Sequence, residues 1–404
     1  MQAHYDLVIV GGGMVGAAIA CALGNSHYSI AVLEQQYPAA FEPDQPHDLR
    51  VSALSVASEN LLRNIGAWEG ITSRRACPYQ RMKVWESDAE HAATEFNSAT
   101  IEQPYLGNIV ENRVIQLALL ERLKTFDNVD LICPAVTESI DFSPGSSLVR
   151  LSDGRELLAR LLIAADGGES RVRSAAGIGV TKWDYDQYAL VASVKTTYPQ
   201  QDITWQQFTP TGPLAFLPLS GNHASLVWYN TPDNTKRLMA LSDEAFLQAV
   251  HNEFPDCLGE VDQLLERGYF PLRRQHAQQY VADGVVLVGD AAHMIHPLAG
   301  QGVNIGFLDA ASLAGVLLDL PEEDKSFYLK GCLQRYEQER RNHNLLMMQA
   351  MDLFYRVFSN DILPLKWLRN AGLAVADKLP IAKPHVIKLA MGLEGPLPEL
   401  AKHV

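Results

Sequence analysis

Short apolar runs and glycine-broken turns alternate at the start of the chain. Residues 5–10, YDLVIV, have the length and composition of a buried strand. Glycines follow at once, then a small-residue helical stretch at 14–23, then a second strand at 29–33 that ends at Glu34. The pattern predicts a βαβ unit of about 30 residues. Residues 42–50, rich in Pro and Asp, read as loop. Residues 52–65 carry Leu and Ala at helical spacing, and 109–124 place Ile115, Leu119 and Leu123 on one helix face. Two further apolar strands, 161–165 and 285–288, run into Asp166-Gly167 and Gly289-Asp290. A helix is predicted from near Gly302 towards Leu318, and the chain from about 331 reads as helical.

The stretch 183–270 differs. It is rich in Trp, Tyr, Phe, Thr and Val, with turn signals at 210–213 and 220–222. This predicts an antiparallel sheet inserted in an α/β unit. The predicted organisation is a discontinuous dinucleotide domain (1–72, 106–182 and 271–330), a sheet-rich domain (73–105 and 183–270) and a helical region (331–404).

Composition narrows the class. The 404 residues, 47% hydrophobic and 20% charged, suit two domains and a large core. A formal charge of −14 disfavours nucleic acid as a partner. The five cysteines are scattered without a CxxC pair, which points to reduced thiols in a cytoplasmic protein and away from a disulfide reductase. The N-terminus lacks the basic region of a signal peptide, and no apolar run reaches membrane-spanning length. His293 and His296 are too few for a metal site and read as structural or site-lining residues.

Gly11, Gly13 and Gly16 form GxGxxG between the predicted strand and helix. Gly11 permits the tight turn, Gly13 lets backbone approach a pyrophosphate, and Gly16 lets the helix pack on the strand. The helix N-terminus then offers N–H groups and partial positive charge to the phosphates. Glu34, 18 residues after Gly16, can accept the ribose hydroxyls of adenosine and would repel a 2′-phosphate, favouring FAD or NAD.

Residues 164–173, AADGGESRVR, and 289–306, GDAAHMIHPLAGQGVNIG, complete a three-motif pattern with the glycine turn. Over roughly residues 4–320 the chain resembles the class A flavoprotein aromatic hydroxylases, the p-hydroxybenzoate-hydroxylase-like family. The resemblance implies an FAD-binding Rossmann-type domain, NADPH or NADH as reductant, and ring hydroxylation through a C4a-hydroperoxyflavin. It implies cofactor roles for Arg50, Asp166, Gly167, Arg173, Asp290, Gly302 and Asn304, and reactive-face roles for Pro297, Gly300 and Gln301. Val136 falls where the family makes a backbone contact to adenine. Asn112 stands where many relatives have an arginine or glutamine that touches FAD; Arg113 is the alternative for that contact. A helix beginning near Gly302 would direct its positive end at the flavin pyrimidine edge. No second GxGxxG lies downstream, which separates the chain from two-domain flavin reductases.

Within that family, residues 48–58, 110–120, 205–219, 224–229 and 351–361 are similar to the ubiquinone-biosynthesis hydroxylases. The implied substrate is a polyprenylated methoxy-methyl-benzoquinol. Sibling hydroxylases and, less favoured, a non-catalytic assembly subunit are the alternatives. Phe216 and Trp228 are candidate substrate contacts, and alternate residues of 214–219 could line an apolar slot. The segment lacks an Arg or Lys pair for a substrate carboxylate, which favours a neutral ring. Residues 362–393 carry five Lys or Arg against one acid among apolar side chains. That composition makes the tail a candidate contact with other pathway proteins or with the inner membrane face.

Overall fold

The computed structural model describes residues 2–86, 93–255, 261–295, 302–324, 326–358, 385, 388, 391–393 and 395–403. Five parallel strands form its centre, in the spatial order Val129–Ile132, Ile30–Leu33, Gln2–Val10, Glu156–Ala164, Val285–Leu287. Numbered along the chain this order is 3-2-1-4-5, the doubly wound arrangement. The strand order reverses between Gln2–Val10 and Glu156–Ala164, so the loops at their C-terminal ends flank a crevice. Leu7, Val8, Ile9 and Leu161–Ile163 are fully buried, because helices cover both faces of a parallel sheet. Helices Met14–Ala22, Asn112–Leu123 and Gly302–Leu318 pack on this layer.

The second sheet has the order His293–Met294, Val261–Ala277, Val180–Thr196, His223–Asn230, Gly212–Leu219, Ile203–Thr209, Arg81–Glu86, Thr94–Asn97. It is antiparallel except where Ile203–Thr209 meets Arg81–Glu86. Strands Val180–Thr196 and Val261–Ala277 pair along most of their 17 residues each and join the two regions. Helices Pro232–Met239 and Asp243–Glu253 interrupt the sheet-rich segment, capped by Thr231 and Ser242. Their Leu238, Phe246 and Val250 pack with Trp85, Trp205, Phe216 and Trp228 on one face of the sheet. The opposite face is turned to the crevice.

Two predicted helices are shorter than their periodicity suggested. Val51–Ser55 is a strand before helix Val56–Asn64, with Ser55 as N-cap. It pairs with Gly107–Glu111, which takes the first residues of the other predicted helix. Pairing across more than fifty residues overrides local helical spacing here.

Candidate active site

A cavity of about 760 Å³ lies between the glycine turn and the free face of the second sheet, within the size range of ligand pockets. Gly13, Met14, Gly167, Gly289, Asp290, Gly302 and Gly306 form its floor. Gln206, Ala215, Leu217, Ser225, Val227 and Tyr229 form its ceiling. Leu49, Arg50, Ser52 and Asn112 close one side, and Tyr269, Phe270 and Arg273 another.

The glycines divide the labour by geometry. A Cβ at Gly11, where φ is +107°, would lie 2.3 Å from the Ala165 carbonyl oxygen. At Gly16 it would lie 2.0 Å from the Gly11 oxygen. Both positions are therefore closed by the protein itself. Gly13, Gly167 and Gly302 line the cavity, yet a Cβ there would meet nothing within 4 Å. The backbone is bare towards the cavity at these three points. Helices Met14–Ala22 and Gly302–Leu318 both begin there, so two positive helix ends converge on one space. Gln116 steadies the turn by donating to the Gly12 oxygen at 3.0 Å.

Glu34 stands beside Gly12: a Cβ at that glycine would lie 2.9 Å from the Glu34 Cβ. The Ala135 N–H donates to the Glu34 backbone oxygen at 2.8 Å, which runs the loop carrying Val136 alongside. Val136 itself is exposed, and its carbonyl accepts from the Ser152 N–H. Asp290 opens into the cavity while protein surrounds it. Burial raises its pKa, and the charges of His293 and Arg50 oppose that rise.

Arg50, Asn112, Gly167, Asp290 and Gly302 line the cavity with Gly13. Pro297, Gly300 and Gln301 lie outside the described residues. Other candidates have different tasks. Arg113 cannot take over a cofactor contact from Asn112: it grips Asp48 through two 2.8 Å bonds and donates to the carbonyls of Ala39 and Ala40. Asn112 accepts from Ser52 at 2.7 Å and keeps the cavity-facing place. Asn304 is buried away from the cavity; its amide bonds Ser55 N–H, Ser58 Oγ and the Ala53 carbonyl, holding the strand that supplies Ala53. Arg173 is buried and donates to the carbonyls of Ala291 and Gly168, which pins the Gly168 turn to the Asp290 turn. Burial lowers its pKa, with Asp166 and Glu169 opposing. Asp166 caps the N–H groups of Arg171 and Val172.

Phe216 and Trp228 do not reach the cavity. They lie within the aromatic cluster under the two helices, and Phe216 stacks on Trp205 at 5.7 Å. Side chains alternate between sheet faces, so their neighbours Ala215, Leu217, Val227 and Tyr229 form the ceiling instead. Period-two spacing was visible in the sequence; which parity faced the helices was not. Sequence reasoning also missed Gln275, which joins the same two turns as Arg173 by donating to the Gly168 and Asp290 carbonyls.

A bare, positively polarised backbone floor beneath an apolar ceiling defines a dinucleotide-cofactor enzyme of the flavin class. The open glycine cradles at Gly13, Gly167 and Gly302 leave room for FAD. The chain belongs to the FAD binding domain family, which matches residues 4–351. It is 42% identical over 388 residues to 3-demethoxyubiquinol 3-hydroxylase of Escherichia coli (96% of this chain, 98% of that one). It is 36% identical over 435 residues to the mitochondrial ubiquinone biosynthesis monooxygenase COQ6 of Homo sapiens (96% and 92%). Among solved structures, p-nitrophenol 4-monooxygenase PnpA from Pseudomonas putida matches with a TM-score of 0.78 at 18% identity, covering 97% of this chain and 99% of that one. Klebsiella pneumoniae HpxO, solved with FAD, matches with a TM-score of 0.73 at 17% identity, covering 97% and 100%. These two likenesses concern the fold.

Proposed function

We propose that this protein is an FAD-dependent monooxygenase that hydroxylates the ring of a polyprenylated methoxy-methyl-benzoquinol in ubiquinone biosynthesis. The observation that carries the reading is the cavity: a cofactor floor directly beneath a ceiling of uncharged, largely apolar side chains. A neutral, electron-rich ring suits that ceiling better than an aromatic acid does. Bound FAD would supply the redox and oxygen-activating chemistry, with NADPH or NADH as reductant. The protein's share is to orient the ring and exclude water. The relatives named for ubiquinone hydroxylation, alike over nearly the whole chain, support this substrate class. The segment 205–219 resembles that of 2-octaprenyl-3-methyl-6-methoxy-1,4-benzoquinol hydroxylase, which supports this ring among the pathway's quinols.

Among the described residues no helix is long and apolar enough to cross a membrane. The basic, apolar tail at 362–393, mostly outside the described residues, is proposed to meet the membrane face or partner proteins where such a substrate is presented. Its deletion should abolish liposome binding by an otherwise folded, yellow protein.

The test is complementation. The chain is expressed in a strain that lacks the final ring hydroxylase of the pathway, and quinones are identified by mass. Ubiquinone should reappear as the unhydroxylated intermediate disappears. A folded, flavin-loaded protein that leaves the intermediate unchanged would overturn the substrate assignment.

A further inference from the structure

The ceiling of the cavity is built in rows across the second sheet. Thr204, Leu217, Ser225 and Ser193 lie side by side on four neighbouring strands, and Gln206, Ala215, Val227 and Val191 form the next row. Thr204 donates its hydroxyl to the Phe216 carbonyl at 2.7 Å. Ser225 does not: its Oγ is shut off from solvent and has no hydrogen-bond partner. It is the one residue, among the described residues lining the cavity, whose side chain holds such an orphaned polar atom. Ser193, directly opposite on the adjacent strand, is in the same condition. Both serines are about 1% exposed.

An unpartnered buried hydroxyl is a standing cost, larger than the net gain from a satisfied one. Serine is also mostly an exposed residue rather than part of a sealed wall. Ser225 stands between Leu217 and, two residues along its own strand, Val227. Packing alone would place Ala or Val there. Rotation about its Cα–Cβ bond would turn the Ser225 hydroxyl from its sealed position to the cavity that the residue borders, and there it can either donate or accept, serving a ring hydroxyl, a methoxy oxygen or a carbonyl equally. No charged group is needed for such a ring, and the ceiling rows offer none.

We propose that Ser225 is a specificity-determining residue that hydrogen-bonds an oxygen substituent of the neutral aromatic ring bound against the sheet. Ser193, on the neighbouring strand, backs Ser225 and completes the polar spot. The assignment rests on the ring-hydroxylase reading above. It adds which side chain recognises the ring and by what chemistry, and it makes Ser225 a positioning residue with no part in oxygen transfer.

The test uses the FAD-loaded full chain and a short-chain methoxy-methyl-benzoquinol, with analogues that each lack one ring oxygen. Binding is read from the perturbed flavin spectrum, and turnover from hydroxylated product per reductant consumed. Wild-type protein is measured first. If it binds and hydroxylates no quinol, the functional reading fails, independently of Ser225. Ser225→Ala should weaken binding of the full quinol about three- to tenfold, the worth of one hydrogen bond, and should raise reductant consumption without product. For one of the deoxygenated analogues, wild type and Ser225→Ala should bind alike, because that analogue has already lost the bond. Ser225→Thr, which keeps the hydroxyl, should recover part of the affinity. The ligand-free stability of Ser225→Ala should equal or exceed that of wild type. An Ala variant that binds every analogue in the wild-type ratio overturns the proposal. So does one that loses stability with unchanged quinol affinity, since the hydroxyl would then be holding a buried water or the sheet.

Discussion

Replacing Asp309 by Asn probes how the cofactor floor is held in place. The Asp309 carboxylate is completely buried and accepts four hydrogen bonds. Oδ2 takes the Gly289 N–H at 3.1 Å and His293 Nε2 at 2.5 Å; Oδ1 takes Arg340 Nε at 2.9 Å and Asn344 Nδ2 at 3.0 Å. One carboxylate thereby links the Asp290 turn to the helix Lys330–Phe358. Asparagine keeps the shape but presents two N–H donors where an oxygen stood. Whichever way the amide turns, donors face donors, and the Arg340 guanidinium, only 2% exposed, loses its counter-charge. Removing one partner of a buried ion pair costs about 3–5 kcal/mol. Asp309→Asn should therefore lose that much in denaturant unfolding and should release FAD at lower temperature or denaturant, because the Gly289–Asp290 turn loosens with it. Acid gives an independent reading. Burial would raise the Asp309 pKa, but His293, Arg340 and Asn344 outweigh it and bring it from 3.8 to about 2. The carboxylate's stabilisation is thus complete above pH 4 and lost as pH falls through 2, about 2 kcal/mol in all. A variant within about 1 kcal/mol of wild type, or one that unfolds earlier with unaltered FAD retention, would refute this account of the link.

Three further outcomes follow from the same geometry. Gly13→Ala should fold with near-normal stability yet bind FAD at least about tenfold more weakly, whereas Gly11→Ala, at φ +107° and 2.3 Å from a carbonyl, should destabilise the chain itself; apo-protein unfolding and FAD titration separate the two. Phe216→Ala should cost about 3–5 kcal/mol of stability with a modest effect on KM, and Leu217→Ala the reverse, since they occupy opposite faces of one strand. His47, which bonds Ser220 beside the cavity-lining Leu49 and Arg50, has its pKa pushed down to about 4 by burial, with Arg75 and His223 adding and Asp48 opposing. It stays neutral in the folded state while the unfolded chain takes up its proton, so stability should decline as pH falls from 6.5 to 4, and His47→Gln should flatten part of that slope.

The glycine turn shows how far local reasoning reaches. Gly11, Gly13 and Gly16 were legible because each answers a steric question posed by its near neighbours in a strand–turn–helix. Glu34 followed from the length of the βαβ unit. Of the residues given roles by resemblance, some border the cavity and others brace its walls. Arg50, Gly167 and Asp290 line the cavity. Arg113, Arg173 and Asn304 bond backbone brought from elsewhere in the chain.

By itself, then, the sequence determined the parallel βαβ opening, the inserted sheet and a dinucleotide turn, all consequences of short-range periodicity and turn chemistry. Tertiary structure alone decided which face of the second sheet met the cofactor. Two helices inside the sheet-rich segment cover the parity that carries Trp205, Phe216 and Trp228, and so leave Leu217, Ser225, Val227 and Tyr229 to the cavity. A strand's alternation specifies two faces but not which is buried against what. That choice belongs to the elements packed on it, and their packing is a matter of contacts between residues distant in the chain.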